Sequence, residues 1–114
     1  MNIDTEQNGG LTVLKMSGKL DTVSSPDVQQ IVVEAIDTAD EGVVIEMSNV
    51  SFVSSAGLRV MLIGAKASKA KGKAFRLAGL NDGVGDVFRM TGFDRLIDIY
   101  DDTDAAIAGT DPSD

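Results

Sequence analysis

A chain of 114 residues, 43% hydrophobic and 25% charged, has the length and balance of one globular domain with a single core, which sets aside disordered, collagen-like and coiled-coil chains. It has no cysteine and no histidine, which excludes disulfides, thiol chemistry, ordinary zinc sites and the usual neutral-pH general base. A net charge of −8 offers no basic surface to nucleic acid, and no segment approaches the ~18 apolar residues of a membrane span. The N-terminus, Met1-Asn2-Ile3-Asp4-Thr5-Glu6, lacks the basic flank and apolar run of a signal peptide, so a soluble cytoplasmic protein is expected.

Leu11-Thr12-Val13-Leu14-Lys15-Met16 carries apolar residues on both parities, as a mostly buried strand does, and Asn8-Gly9-Gly10 before it is turn chemistry. Residues 2–7 and 11–17 are therefore predicted to pair as a hairpin. Gly18-Lys19-Leu20-Asp21 then leads outward. Ser25 before Pro26 reads as an N-cap followed by a first-turn proline, with Asp27 behind it, and Val28, Ile31, Val32, Ala35, Ile36 and Ala39 keep a helical period.

Residues 43–47, Val-Val-Ile-Glu-Met, are too short and too continuously apolar for an amphipathic helix and predict a central strand buried on both faces. A short turn then reaches a second helix carrying Leu58, Met61, Leu62 and Ala65, ending near Gly72 after Lys69 and Lys71. Residues 75–80 form the next strand. Asn81 or Asp82 caps a helix carrying Val84, Val87, Phe88 and Met90 and stopped at Gly92. Residues 97–100 alternate like a short half-buried strand, and Asp102 or Thr103 caps a final helix through Ile107. Residues 109–114 are expected to be a flexible tail. Val13, Phe75 and Ile99 fit either core or edge positions, and a monomer is the default.

This order predicts an α/β fold for residues 1–108: a small mixed β-sheet that opens with the hairpin and continues largely parallel, with about four helices. In such sheets the functional crevice lies beyond the carboxyl ends of the parallel strands, where Ser54 and Ser55 fall.

Most enzyme chemistries find no residues. Ser55-Ala56-Gly57 resembles half of a nucleophile elbow, but Val53 replaces its first glycine and no histidine activates the serine. Ser68-Lys69-Ala70-Lys71 has a Ser-x-x-Lys spacing without companion motifs and reads as a solvated helix face. Gly79, Gly83 and Gly85 lack the lysine of a phosphate loop, and Asn49-Val50-Ser51 is a glycosylation match without a secretory signal. Asp101 and Asp102 lack a third metal ligand and read as a helix start, so no metal or other cofactor is expected. Six of the ten basic residues, Arg59, Lys66, Lys69, Lys71, Lys73 and Arg76, lie between 59 and 76. They suit the negative end of a helix dipole, a partner-facing basic patch being the alternative. The serines are left as either a helix cap or the acceptor of a phosphoryl group, whose charge and acceptor oxygens a helix start tolerates and an apposed partner does not.

Val50-Ser51-Phe52-Val53-Ser54-Ser55-Ala56-Gly57-Leu58 resembles the signature of the STAS-domain anti-sigma factor antagonists of bacterial partner-switching systems. Gly18-Lys19-Leu20-Asp21, Thr91-Gly92-Phe93 and Ile97-Asp98-Ile99-Tyr100 resemble further segments of that family. The resemblance implies helices mainly on one side of the sheet and a regulatory protein rather than an enzyme. It also implies phosphorylation of Ser55 by a cognate anti-sigma factor that is a serine kinase, release of that partner, and resetting by a serine phosphatase. Asp21, Thr22, Ser54, Ser55, Ala56, Gly57 and Leu58 would form the partner-binding face. The chain departs from the pattern at Ser54, where many members have aspartate, and at Ala56, where they have serine or threonine. A STAS domain that takes no phosphate and serves as a structural or regulatory subunit of a transport or signalling complex is the alternative.

Overall fold

The structure, a computed structural model, describes residues 1–109. Asn8-Gly9-Gly10 turns the chain as its residues suggest, with Gly9 at a φ of 60°, and joins β1 (Asn2–Asn8) to β2 (Leu11–Leu20) as an antiparallel pair. From there each strand is parallel to the one before. β3 (Gly42–Val53), β4 (Ala74–Ala78) and β5 (Asp98–Tyr100) add in sequence order, so the five strands run β1-β2-β3-β4-β5. The crossovers are α1 (Ser25–Thr38), α2 (Ser55–Ala70) and α3 (Asp82–Thr91), the last followed by a 3-10 turn, Phe93–Arg95; α4 (Thr103–Ala108) follows β5.

Alternation along the strands divides the apolar residues between two faces. Leu14, Met16, Val43, Ile45, Met47, Phe75 and Leu77 form one core with Val32 and Ile36 of α1, Met61 of α2 and Phe88 of α3. Leu11, Val13, Val44, Ala78 and Tyr100 face the other way, under Ala106 of α4. Three helices therefore share one face, as the family resemblance implies. Val13 and Phe75 prove buried, and Ile99 packs half-buried against the main core.

Several local expectations shift. The central strand does not end at Met47 but runs on to Val53, because β2 stays beside it: Ser17 pairs with Asn49, Gly18 with Val50, Lys19 with Phe52 and Leu20 with Val53. Two bulges put one extra residue each into β3, so burial there recurs at Met47, Val50 and Val53, every third residue, and the two-residue signature of a strand disappears. The cap residue of α1 is Ser24 rather than Ser25, and it makes no side-chain capping bond. The stripe of α2 is Gly57, Leu58, Met61, Gly64 and Ser68, while Leu62 and Ala65 are half-buried. Ser68 is thus a buried residue and not part of a solvated face. Met90 is exposed on α3, off the Val84–Phe88 stripe. Residues 110–114 of the expected tail lie outside the described residues.

Candidate functional site

The carboxyl ends of β2 and β3 build the site. Ser54, the residue after β3, is extended, and its N–H donates to the Leu20 carbonyl at 2.9 Å, which ties the two strand ends together. Its hydroxyl accepts from the Gly57 N–H at 3.3 Å as the N-cap of α2. Gly57 has a packing reason to lack a side chain. A Cβ there would stand 2.7 Å from both the Leu20 carbonyl oxygen and Leu20 Cγ, and 3.1 Å from Val53 Cγ1. The first turn of α2 can therefore lie directly on the end of β2, with Leu58 buried behind it.

That packing turns Ser55 outward. It is the first residue of α2, exposed, and its hydroxyl makes no hydrogen bond among the described residues. Ala56 beside it is half-buried. Of two adjacent hydroxyls one is engaged as a cap and the other is free to react.

Across from Ser55 stands the loop from β2 to α1, built by Asp21. Its Oδ1 accepts from the N–H groups of Ser24 at 3.0 Å and Val23 at 3.1 Å, while the Ser24 hydroxyl accepts from the Asp21 N–H and donates to the Lys19 carbonyl. The Ser24 N–H, then the Ser24 hydroxyl, the Val23 N–H and the charge of Lys19, hold the Asp21 carboxyl below its ordinary range against an opposing effect of desolvation smaller than that of the Ser24 N–H. The turn leaves Thr22 exposed and Val23 88% exposed at its tip. Thr22, Ser25, Pro26 and Gln29 on this side, with Ser55, Ala56, Arg59 and Val60 of α2, line an open cleft of about 500 Å³.

The cluster of cations divides. Lys71 pairs with Asp37 at 2.6 Å and pulls that carboxyl down, first through the hydrogen bond and then through its charge. Lys73 donates to the carbonyls of Ile36 and Asp37 at the end of α1, and Arg76 to that of Ala106 in α4. Lys73 and Arg76 thus satisfy carbonyls at the ends of α1 and α4, and Lys71 is held by a side-chain carboxylate. Arg59, Lys66 and Lys69 are exposed and make no ion pair among the described residues.

Asp102 accepts from the Ala105 N–H and caps α4, the helix-start role expected of it. Asn81 rather than Asp82 caps α3. Its Oδ1 takes the Val84 N–H and its Nδ2 reaches the Val50 carbonyl, on the stretch of β3 that β4 no longer covers. A hollow beside α3 contains Asp82, Asp94, Asp98 and Asp101, but no group of residues able to hold a metal ion occurs among the described residues. No helix among them is long and apolar enough to cross a membrane.

Residues 2–106 match the STAS domain. The chain belongs to the STAS domain family. Among curated relatives of this STAS domain, an anti-sigma-B factor antagonist of Staphylococcus aureus (strain NCTC 8325 / PS 47) is 24% identical over 104 residues, 91% of this chain and 96% of its own. Among solved structures, an anti-sigma factor antagonist from Mycobacterium paratuberculosis shares the fold with a TM-score of 0.87 at 22% identity, covering 99% of this chain and 94% of its own. The Bacillus cell fate determinant SpoIIAA in its phosphorylated form does so with a TM-score of 0.71 at 18% identity, covering 94% and 97%.

The structure gathers all seven residues singled out from the sequence at one end of the sheet, in different roles. Thr22 and Ser55 are presented, Asp21, Ser54 and Ala56 are partly covered, and Gly57 and Leu58 are buried beneath them as supports. Sequence reasoning overlooked Gln29, and it named Arg59 only within the basic cluster and Phe52 only within the signature stretch; Gln29 and Arg59 share the cleft with Ser55, and Phe52 is 48% exposed near the end of β3. Arg59 had a readable signal: it lies four residues after Ser55, on the same side of a helix.

Proposed function

We propose that this STAS domain is an anti-sigma factor antagonist that works by partner switching. Unphosphorylated, it binds a cognate anti-sigma factor that is also a serine kinase, through the face around Asp21, Thr22, Ser54, Ser55 and Ala56, with Gly57 and Leu58 holding that face in place. The kinase transfers the γ-phosphoryl group of ATP to Ser55: the Oγ–H bond gives way to Oγ–P, the proton leaves to a kinase base or water, and ADP departs. The phosphate, carrying roughly −1.5 to −2 charges, is desolvated and repelled at the interface, so the partner is released until a serine phosphatase hydrolyses the ester. The domain is substrate and ligand in this cycle, acts as a monomer, and needs no cofactor.

One observation carries the choice of residue. Ser55 is exposed with a free hydroxyl at the start of a helix, whereas the adjacent Ser54 spends its hydroxyl on the Gly57 N–H. The names of the relatives support the partner class. Incubation with the cognate kinase and ATP is expected to add one phosphate by mass spectrometry, absent in Ser55→Ala and retained in Ser54→Ala. Phosphorylation that survives Ser55→Ala would overturn the assignment. Ser55→Asp should weaken partner binding at least tenfold while Ser55→Ala binds throughout, and equal affinity of all three would remove the switch.

A further inference from the structure

We infer that Arg59 is the clamp for a phosphate on Ser55, folding back along α2 to hold the modified side chain in the cleft between α1 and α2. The inference rests on the reading of Ser55 as phosphoacceptor. Its geometric ground is the spacing: residues four apart on a helix are surface neighbours, and Ser55 and Arg59 both line the cleft opposite Thr22, Ser25 and Gln29.

Its electrostatic ground is the lack of any other claim on the guanidinium. Arg59 is exposed and has no hydrogen bond or ion pair among the described residues, in a chain of net charge −8. Lys71, Lys73 and Arg76 are each committed to a carboxylate or a helix end, but Arg59 is not. No acidic residue lies on α2 and none lines the cleft, so Arg59 is the one charged side chain among the residues lining it.

A planar guanidinium can grip two phosphate oxygens at once, which neither lysine nor glutamine can. Gln29 and the hydroxyl of Thr22 supply donors on the opposite wall, while the Ser25 hydroxyl is already donated to the Asp21 carbonyl. Phosphorylation then does two things: it places charge at the docking face and draws Arg59 out of solvent onto the cleft, changing what a partner meets there.

The test places phosphoserine at position 55 during translation, so that no kinase is required, and follows the phosphate by ³¹P NMR titration at low ionic strength. A neighbouring cation favours the dianion. The second phosphate pKa is expected to lie about 0.5 units lower with Arg59 than in Arg59→Gln, with Arg59→Lys between them. The difference should shrink in ~0.5 M salt, where exposed charges are screened. Identical titration curves and ³¹P shifts for the parent and Arg59→Gln would overturn the clamp. Failure of the cognate kinase to modify Ser55 would instead overturn the switch, and the two failures are read in separate experiments.

Discussion

At Gly57 a single hydrogen in place of a methyl group decides whether the site can form. The 2.7 Å approach to the Leu20 carbonyl involves backbone that cannot move without disturbing the Ser54–Leu20 hydrogen bond, so Gly57→Ala must lift α2 from the end of β2. A loss of about 3 kcal/mol is expected in urea denaturation, well beyond the effect of an ordinary helical Gly→Ala change; an unchanged midpoint would refute the close packing. Asp21 makes a subtler claim. Its folded-state pKa lies below the ordinary 3.8, so its contribution to stability is fully present above 3.8 and is lost as pH falls through the folded value. Asp21→Asn keeps an acceptor oxygen for the Val23 and Ser24 N–H groups but cannot titrate. Its stability should therefore decline less steeply below pH 3.8 than that of the parent, measured as urea midpoints across a pH series. Asp37, the other depressed carboxyl among the described residues, is common to both chains, so parallel acid limbs would show that Asp21 carries no such linkage.

Among the elements, α2 joins a reactive first turn to a buried stripe, and one member of that stripe is polar. Ser68 is 1% exposed and its hydroxyl has no hydrogen-bond partner among the described residues. Ser68→Ala removes an unsatisfied hydroxyl, improves helix propensity and leaves a cavity no larger than one oxygen, so a gain of about 1 kcal/mol is expected in thermal or urea unfolding. A loss would mean that the hydroxyl has a partner the structure does not show. The same element shows what the sequence made legible. The α1 stripe of Val28, Val32, Ala35 and Ile36, the Gly92 stop of α3 and the Asn8-Gly9-Gly10 turn are local effects, and local residues announced them, although Ile31, expected on that stripe, is exposed. The second half of β3 was not legible, because bulges set by its neighbour β2 replace alternation with a three-residue period. The ends of α1 and α4 are closed by Lys73 and Arg76, 36 or 37 and 30 residues away in sequence, which no window of local pattern contains. At the site, the strand-to-helix hydroxyls were readable, while the cleft that joins Arg59 to Gln29 depends on how two helices pack.

For the molecule as a whole, the two faces of the sheet are unequally protected. One holds α1, α2 and α3 over a continuous core, and the other is covered by α4, six residues anchored through Ala106, Tyr100 and the Arg76–Ala106 hydrogen bond of 2.9 Å. An isolated helix of that length has no stability of its own, so α4 should open without the rest. Native-state hydrogen exchange is expected to give the amides of Ala105 and Ala106 a smaller opening free energy than those of Val44 and Ile45 in β3, which should exchange only through global unfolding. Arg76→Ala should lower protection of α4 by about a further 1 kcal/mol, because it leaves a carbonyl at the end of the helix without its charged donor. Ser55 and its cleft lie on the opposite face, so partner affinity should be unchanged in the same variant. A common opening free energy for α4 and β3 would show instead that both faces unfold as one unit, and destabilising α4 would then be felt at Ser55.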